Sequence, residues 1–299
     1  MKMLLLLLFC YVPLPLIWSH NIMPIVLWHG MGDTCCNPLT LGFIIKILKN
    51  KLNDVHIYSV KMGQSFIEDM EDGYFLDVNE QIKIVCDKLK NDSRYNKGYN
   101  AIGFSQGGQF LRGLAQRCPQ PPMHNLISLG GQHQGVYGLP RCPGIKSLCD
   151  KVRYILNTMA YREYVQKHLV QSQFWHDPMN ETLYKANSSF LGDINQERSF
   201  NPSYKANLMK LNKLVLIKFL KDSIVIPRES EWFGFYKPGS NTILMNMNQT
   251  DLYQKDLLGL KEMQDNQKLD LLSYPDDHLR FDVRWFEQAI ISTYLNVAI

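Results

Sequence analysis

Beyond its first nineteen residues the sequence has no apolar run near the roughly 18 residues that a membrane span needs. A soluble mature chain with no transmembrane anchor is expected. Charge of either sign is not in excess either: 32 Lys and Arg face 28 Asp and Glu, a formal net charge of +4. No basic run reaches the density that a phosphate backbone demands, which argues against a nucleic-acid partner. There is no H-E-x-x-H, no other cluster with metal-ligand spacing and no G-x-x-x-x-G-K-[ST] phosphate cradle. No metal or other cofactor is therefore implied. Internal repeats and low-complexity segments are lacking as well. Apolar residues are 45% and charged residues 20%, ordinary globular usage that excludes a disordered or fibrous chain.

What is present starts at the N-terminus. Lys2 supplies a positive head, and an apolar run from Leu4 through Phe9 continues to Trp18, broken by Pro13 and Pro15. Too short for a span, it reads as a signal peptide over residues 1–20, cut near Ser19 to Asn21, although Ile17 is not the small residue usually preferred before a cut. The alternative is an uncleaved anchor. A secretory route gives the cysteines meaning. Seven are present, and Cys10 lies in the peptide. Cys35, Cys36, Cys86, Cys118, Cys142 and Cys149 remain, and six cysteines allow fifteen pairings among which sequence cannot choose. Adjacent Cys35 and Cys36 are by default sent to different partners, because a vicinal bridge is strained. Asn91, Asn180, Asn187 and Asn248 open N-x-[ST] glycosylation sequons.

The chain then alternates. Short apolar runs at Ile25 to Trp28, Val55 to Val60, Tyr99 to Phe104 and Leu126 to Leu129 suit buried strands. Helical spacing separates them at residues 38–50, at Val78 to Leu89 and at Gln106 to Arg117. The rhythm breaks from about 131 to 211, where a Gly- and Pro-rich loop precedes helical pattern around Ile155 to Val170. It returns at Leu214 to Phe219 and Leu269 to Leu272, and a last helix runs about Val283 to Leu295. Alternating β and α predicts an α/β fold with a mostly parallel central sheet flanked by helices. The middle block reads as a helical insertion in a single domain covering 21–299.

Gly103-Phe104-Ser105-Gln106-Gly107 is the strongest chemical signal. It matches G-x-S-x-G between a strand and a helix, the setting of a nucleophile elbow. A strand-to-helix turn this sharp forces strained angles on the serine, and flanking residues must lack a Cβ. Without chemistry, the same residues would be a Gly-rich helix entry with a capping serine. A serine needs a base, and the base needs an orienting carboxylate. In hydrolases of this architecture the order is Ser, acid, His. Of His124, His133, His168, His176 and His278, only His278 follows the last strand. Asp222 follows the preceding one, while Asp276 and Asp277, on the histidine's own loop, read as loop-capping groups. After the first strand, Trp28-His29-Gly30-Met31-Gly32-Asp33 makes a Gly-flanked turn. There the Met31 amide, with that of Gln106, can form an oxyanion hole. His29 reads as a structural residue under the site. His133, also at a strand's carboxyl end, is a candidate to line it.

These blocks resemble a known family. Ile25 to Pro38 (I-V-L-W-H-G-M-G-D-T-C-C-N-P), Gly98 to Pro119, Gly130 to Pro143, Trp175 to Pro178, Leu191 to Arg198 and Asp222 to Tyr236 are similar to the lysosomal palmitoyl-protein thioesterases, which remove palmitate from cysteine thioesters. The likeness runs from about residue 22 to the end. It implies an α/β-hydrolase whose insertion helps to build an acyl-binding groove, catalytic roles for Ser105, Asp222 and His278, and oxyanion roles for Met31 and Gln106. It also implies the pairs Cys35–Cys36, Cys86–Cys118 and Cys142–Cys149, against the default above, and a glycan at Asn187. Two family glycan sites are lost: Pro202 follows Asn201, and Lys221 replaces the Asn before Asp222. Ile226 and Arg228 depart from the acidic residues usual there, which could alter substrate preference.

The expected chemistry is two-step acyl transfer on S-palmitoylated proteins or peptides and on long-chain acyl thioesters including palmitoyl-CoA. It would take place in the lysosome, with secretion as a second destination. An apolar groove in residues 140–250 would set specificity, since each buried methylene contributes about 0.8 kcal/mol. A broad lipid esterase or palmitoyl-CoA thioesterase on the same triad is the nearest rival. A non-catalytic lipid binder is the rival of another class.

Overall fold

The computed structural model describes residues 22–53, 55–138 and 146–296. The expected signal peptide lies outside them, as do Cys142 and the side chain of Cys149. Six strands form one sheet: β1 (Ile25–Trp28), β2 (Ile57–Ser59), β3 (Tyr99–Phe104), β4 (Met123–Leu129), β5 (Lys213–Phe219) and, after a two-stranded hairpin of β6 (Phe235–Tyr236) and β7 (Leu244–Met245), β8 (Leu269–Tyr274). The order is β2-β1-β3-β4-β5-β8 and every pairing is parallel. This is the α/β-hydrolase arrangement, with β3 near the middle.

The apolar run of β1 shows why these strands read as continuous rather than alternating. Ile25 and Leu27 enter one core, with α1 (Leu41–Lys51) and the C-terminal helix. Val26 and Trp28 enter the other, with α3 (Val78–Lys90) and α4 (Gln106–Arg117). Helices cover both faces, so both sets of side chains are buried. The C-terminal helix starts at Val283–Trp285 and continues as a π-helix over Phe286–Leu295.

Among the described residues between β4 and β5 there are six helices: α5 (Lys146–Met159), α6 (Glu163–His168), α7 (Val170–Gln173), α8 (Glu181–Asn187), α9 (Leu191–Ile194) and α10 (Pro202–Leu208). Buried polar bonds tie them to the sheet's own helices. Arg112 on α4 donates to the Ile194 carbonyl (3.2 Å) and to Asn195 Oδ1 (2.8 Å). Gln173 accepts from the Val78 N–H at 2.9 Å, which caps α3.

One element escaped the hydropathy pattern. In α2 (Phe66–Phe75) the buried residues are Asp69 and Gly73, while Phe66, Ile67 and Phe75 are exposed. This inverts the usual amphipathic rule, so periodicity cannot find it. The legible trace was Ser65-x-x-Glu68, a capping box in which each side chain bonds the other residue's backbone N–H.

Cys35 and Cys36 are bridged, as are Cys86 and Cys118. The second bridge ties α3 to the end of α4, whose start carries Ser105. It closes a loop with a sequence separation of 32, so removing it releases unfolded-state entropy equivalent to about 3–4 kcal/mol. A Cys86→Ala/Cys118→Ala double variant should lose that much in urea unfolding; unchanged stability would show that the bridge constrains little.

Candidate active site

Ser105 sits between β3 and α4 with φ 54° and ψ −125°. A non-glycine residue there carries strain of about 1–3 kcal/mol. Its N–H donates to the Leu129 carbonyl (2.8 Å), and its carbonyl accepts from Gly108 N–H (3.0 Å). The turn is this tight because β1 presses against it: a Cβ on Gly107 would lie 2.3 Å from the Trp28 carbonyl oxygen. Only a glycine fits, as the spacing in G-x-S-x-G anticipates.

The structure brings His278 and Asp222 together. His278 Nδ1 is hydrogen-bonded to Asp222 Oδ2. Asp222 Oδ1 accepts from the Ile224 and Val225 amides at 2.7 and 2.8 Å. Burial acts to raise the Asp222 pKa, but the His278 hydrogen bond and charge outweigh it and hold the carboxyl below its ordinary value. Asp276 and Asp277 serve the loop: Asp277 accepts from the Ser223 and His278 backbone N–H groups, both at 2.9 Å or less, and Asp276 accepts from Asp277 N–H. Gly130, at the end of β4, has φ 64°, and a Cβ there would stand 2.9 Å from His278 Cε1.

Ser105 and His278 line one cavity of about 600 Å³. Gly30 and Met31 form part of its wall, and a Cβ on Gly30 would lie 3.2 Å from Ser105 Cβ, so the turn after β1 abuts the serine. Gln106, at the N-terminus of α4, is buried, and its side chain donates to the Gly73 carbonyl (3.2 Å). The apolar walls include Leu41, Phe43, Ile44, Ile47, Ile224 and Phe281. Of these only Ile224 falls in the range expected to form the groove. Within the insertion, Leu156, Val170, Phe174 and Trp175 are packed into the core instead.

His133 does not line this cavity. It is fully buried behind the elbow, where Nδ1 accepts from Arg112 Nε (3.3 Å) and Nε2 meets Ser128 Oγ (2.9 Å). The Gly130-Gly131 turn carries the chain inward past the strand end, which sequence position alone does not reveal. Burial, then the Arg112 charge, pushes the His133 pKa well down, and burial pushes Arg112 down to about 9. His29 is structural in position: it is buried, with Nδ1 2.9 Å from the Gly30 carbonyl oxygen.

Glu231 was missed, lying in a short 3₁₀ turn with no periodic signal. Its Oε2 accepts from Phe219 N–H at 2.9 Å. Burial, then the Asp222 charge, pushes its pKa well above the ordinary value. One ligand atom each from Asp222, Glu231 and His278 lie within 4.8 Å of one another. With the His278 Nδ1 already bonded to Asp222, the trio is a poor donor set for a cation. Ile226 packs by Gly138, and Arg228 donates to the Leu220 carbonyl (2.5 Å). The four sequon asparagines, Asn91, Asn180, Asn187 and Asn248, are all exposed.

A family model described as palmitoyl protein thioesterase matches residues 24–278. The chain is 47% identical over 271 residues to palmitoyl-protein thioesterase 1 of Caenorhabditis elegans, covering 91% of each chain. It is 34% identical to palmitoyl-protein thioesterase 3 of Dictyostelium discoideum, over 82% of this chain and 81% of that one. It is 28% identical to the lysosomal thioesterase PPT2-B of Xenopus laevis, over 86% of each.

The contact between Gly130 and His278 can be probed directly. Gly130→Ala should displace the imidazole and slow fluorophosphonate labelling of Ser105 by about 10²-fold, with far-UV dichroism retained. Labelling at the original rate would show that Gly130 does not set the imidazole position.

Proposed function

The chain belongs to the palmitoyl-protein thioesterase family and is a hydrolase of that kind; from this premise we propose how its own residues carry out the reaction. His278 removes the proton from Ser105, whose Oγ attacks the thioester carbonyl. The Met31 and Gln106 amides hold the oxyanion, at the N-terminus of α4, where the helix dipole favours negative charge. The cysteine thiolate leaves with a proton from the imidazolium. Water, deprotonated by His278, then cleaves the acyl-serine ester and frees the fatty acid. Asp222 fixes the imidazole tautomer and stabilises its cation.

The observation that carries this reading is the shared cavity: Ser105 and His278 face one apolar space, and the imidazole's far nitrogen is bonded to a buried carboxylate. A thiol is a good leaving group, so acyl binding and deacylation are the larger demands. The cavity's aliphatic and aromatic walls, from α1, Ile224 and the segment after His278, offer the hydrocarbon chain an apolar surface. Palmitoylated proteins and long-chain acyl thioesters, palmitoyl-CoA included, are the substrates that fit. The N-terminal apolar segment, the two bridges, the exposed sequons at Asn187 and the other three positions, and the lysosomal names of relatives support a secretory route to the lysosome.

Ser105→Ala should reduce palmitoyl-peptide hydrolysis to background, and undiminished turnover would refute the assignment. Asp222→Asn should lower kcat about 10³–10⁴-fold, because the wrong tautomer is then favoured. Turnover of palmitoyl peptide, palmitoyl-CoA and a matched oxygen ester by the purified protein separates the readings; an oxygen ester hydrolysed best would favour a broad esterase.

The Asp222 pKa also has a stability sign. Its folded value lies below the unfolded one, so the carboxylate stabilises the fold above the unfolded pKa and loses that effect as pH falls through the folded pKa. The stability gap between the native chain and Asp222→Asn should therefore be full at neutral pH and close in strong acid. A gap independent of pH, followed by chemical unfolding, would contradict this.

A further inference from the structure

Asp69 is a fully buried carboxylate that the reaction above does not use. It stands on α2, the helix whose Phe66, Ile67 and Phe75 face solvent, so those three add little packing to fix that helix in place. Its two oxygens accept backbone N–H groups from either side: Cys35 to Oδ2 and Met62 to Oδ1, each at 2.8 Å. His29 Nε2 stands 3.5 Å from Oδ1. His29 and Cys35 bracket the turn that carries Met31.

The same helix reaches the other oxyanion donor. The Gly73 carbonyl accepts from the Gln106 side chain (3.2 Å), and a Cβ on Gly32 would lie 2.6 Å from Tyr74 Oη, so the ring closes over the turn. On the far side, Ser59 Oγ donates to the Cys35 carbonyl at 2.7 Å, which fixes both backbone groups of that residue. Burying a carboxylate is costly unless its lone pairs are satisfied. Here they are satisfied by amides of the turn and its neighbour, which an apolar residue of the same size would leave orphaned.

We propose that Asp69 is a positioning residue for the oxyanion hole, clamping the Met31 turn to α2 while α2 also holds Gln106. This rests on the assignment of those two amides given above. The clamp acts on a charge that appears only in the transition state, so its loss should reduce kcat while leaving ground-state acyl binding intact.

The test is Asp69→Asn, whose amide nitrogen cannot accept, so one of the two N–H groups loses its partner. With palmitoyl peptide, kcat should fall about 10- to 100-fold while KM stays within about twofold. Affinity for a palmitoyl trifluoromethyl ketone, whose serine adduct bears an oxyanion, should fall by the same factor, and affinity for palmitate should not change. Equal weakening of ketone and palmitate, or an unchanged kcat, overturns the proposal. If Asp69→Asn does not fold, Ser59→Ala decides: its kcat must fall with palmitate affinity retained, and an unchanged kcat again overturns it. Turnover surviving in Ser105→Ala would instead remove the site assignment itself.

Discussion

The structure depends on a turn that one serine makes at the carboxyl end of the central strand. Ser105 holds a backbone conformation that side chains avoid, and it is kept there by main-chain bonds to β4 and by the direct approach of α4 to β1 at Gly107. The strain is small against a fold's total stability, but it is local, and the surrounding contacts must over-determine the turn for it to persist. Packing of β1, β3 and β4 in parallel register supplies that over-determination. It also places the serine at the start of a 12-residue helix, where N–H groups and dipole favour an oxyanion.

The rest of the site follows from the same sheet. Each contributing segment leaves the carboxyl edge of a strand: the Met31 turn after β1, Ser105 after β3, Gly130 after β4, Asp222 after β5 and His278 after β8. In a parallel sheet these ends lie together, so residues more than two hundred positions apart meet without a dedicated scaffold. Electrostatics then separates two neighbouring acids. The His278 hydrogen bond and two backbone amides draw the Asp222 pKa down, while burial and the Asp222 charge push that of Glu231 up.

Much of this was legible in the residues. The bounds of β1, β3 and α4 follow from apolar runs and helical spacing, because both faces of a parallel sheet are covered and the pattern is simple. Chain order alone selected Asp222 and His278, which the fold brings into contact. The vicinal Cys35–Cys36 pair was not derivable from spacing and came only through the family resemblance. Three things stayed hidden for physical reasons. The helix Phe66–Phe75 buries Asp69 and Gly73 and exposes Phe66, Ile67 and Phe75, so hydropathy points the wrong way. Glu231 sits in a turn without period. The apolar walls beside Ser105 come from α1, Ile224 and the segment after His278, while Leu156, Val170, Phe174 and Trp175 of the insertion pack into the core.

The central claim is that Ser105 carries the acyl group between two half-reactions. Rapid-quench mass spectrometry of the protein mixed with excess palmitoyl peptide tests it most directly. The account predicts a palmitoyl group on the peptide containing Ser105, formed before the steady state and lost at the turnover rate. Palmitate release at full rate with no acyl adduct on Ser105, or with the adduct on another residue, would contradict it.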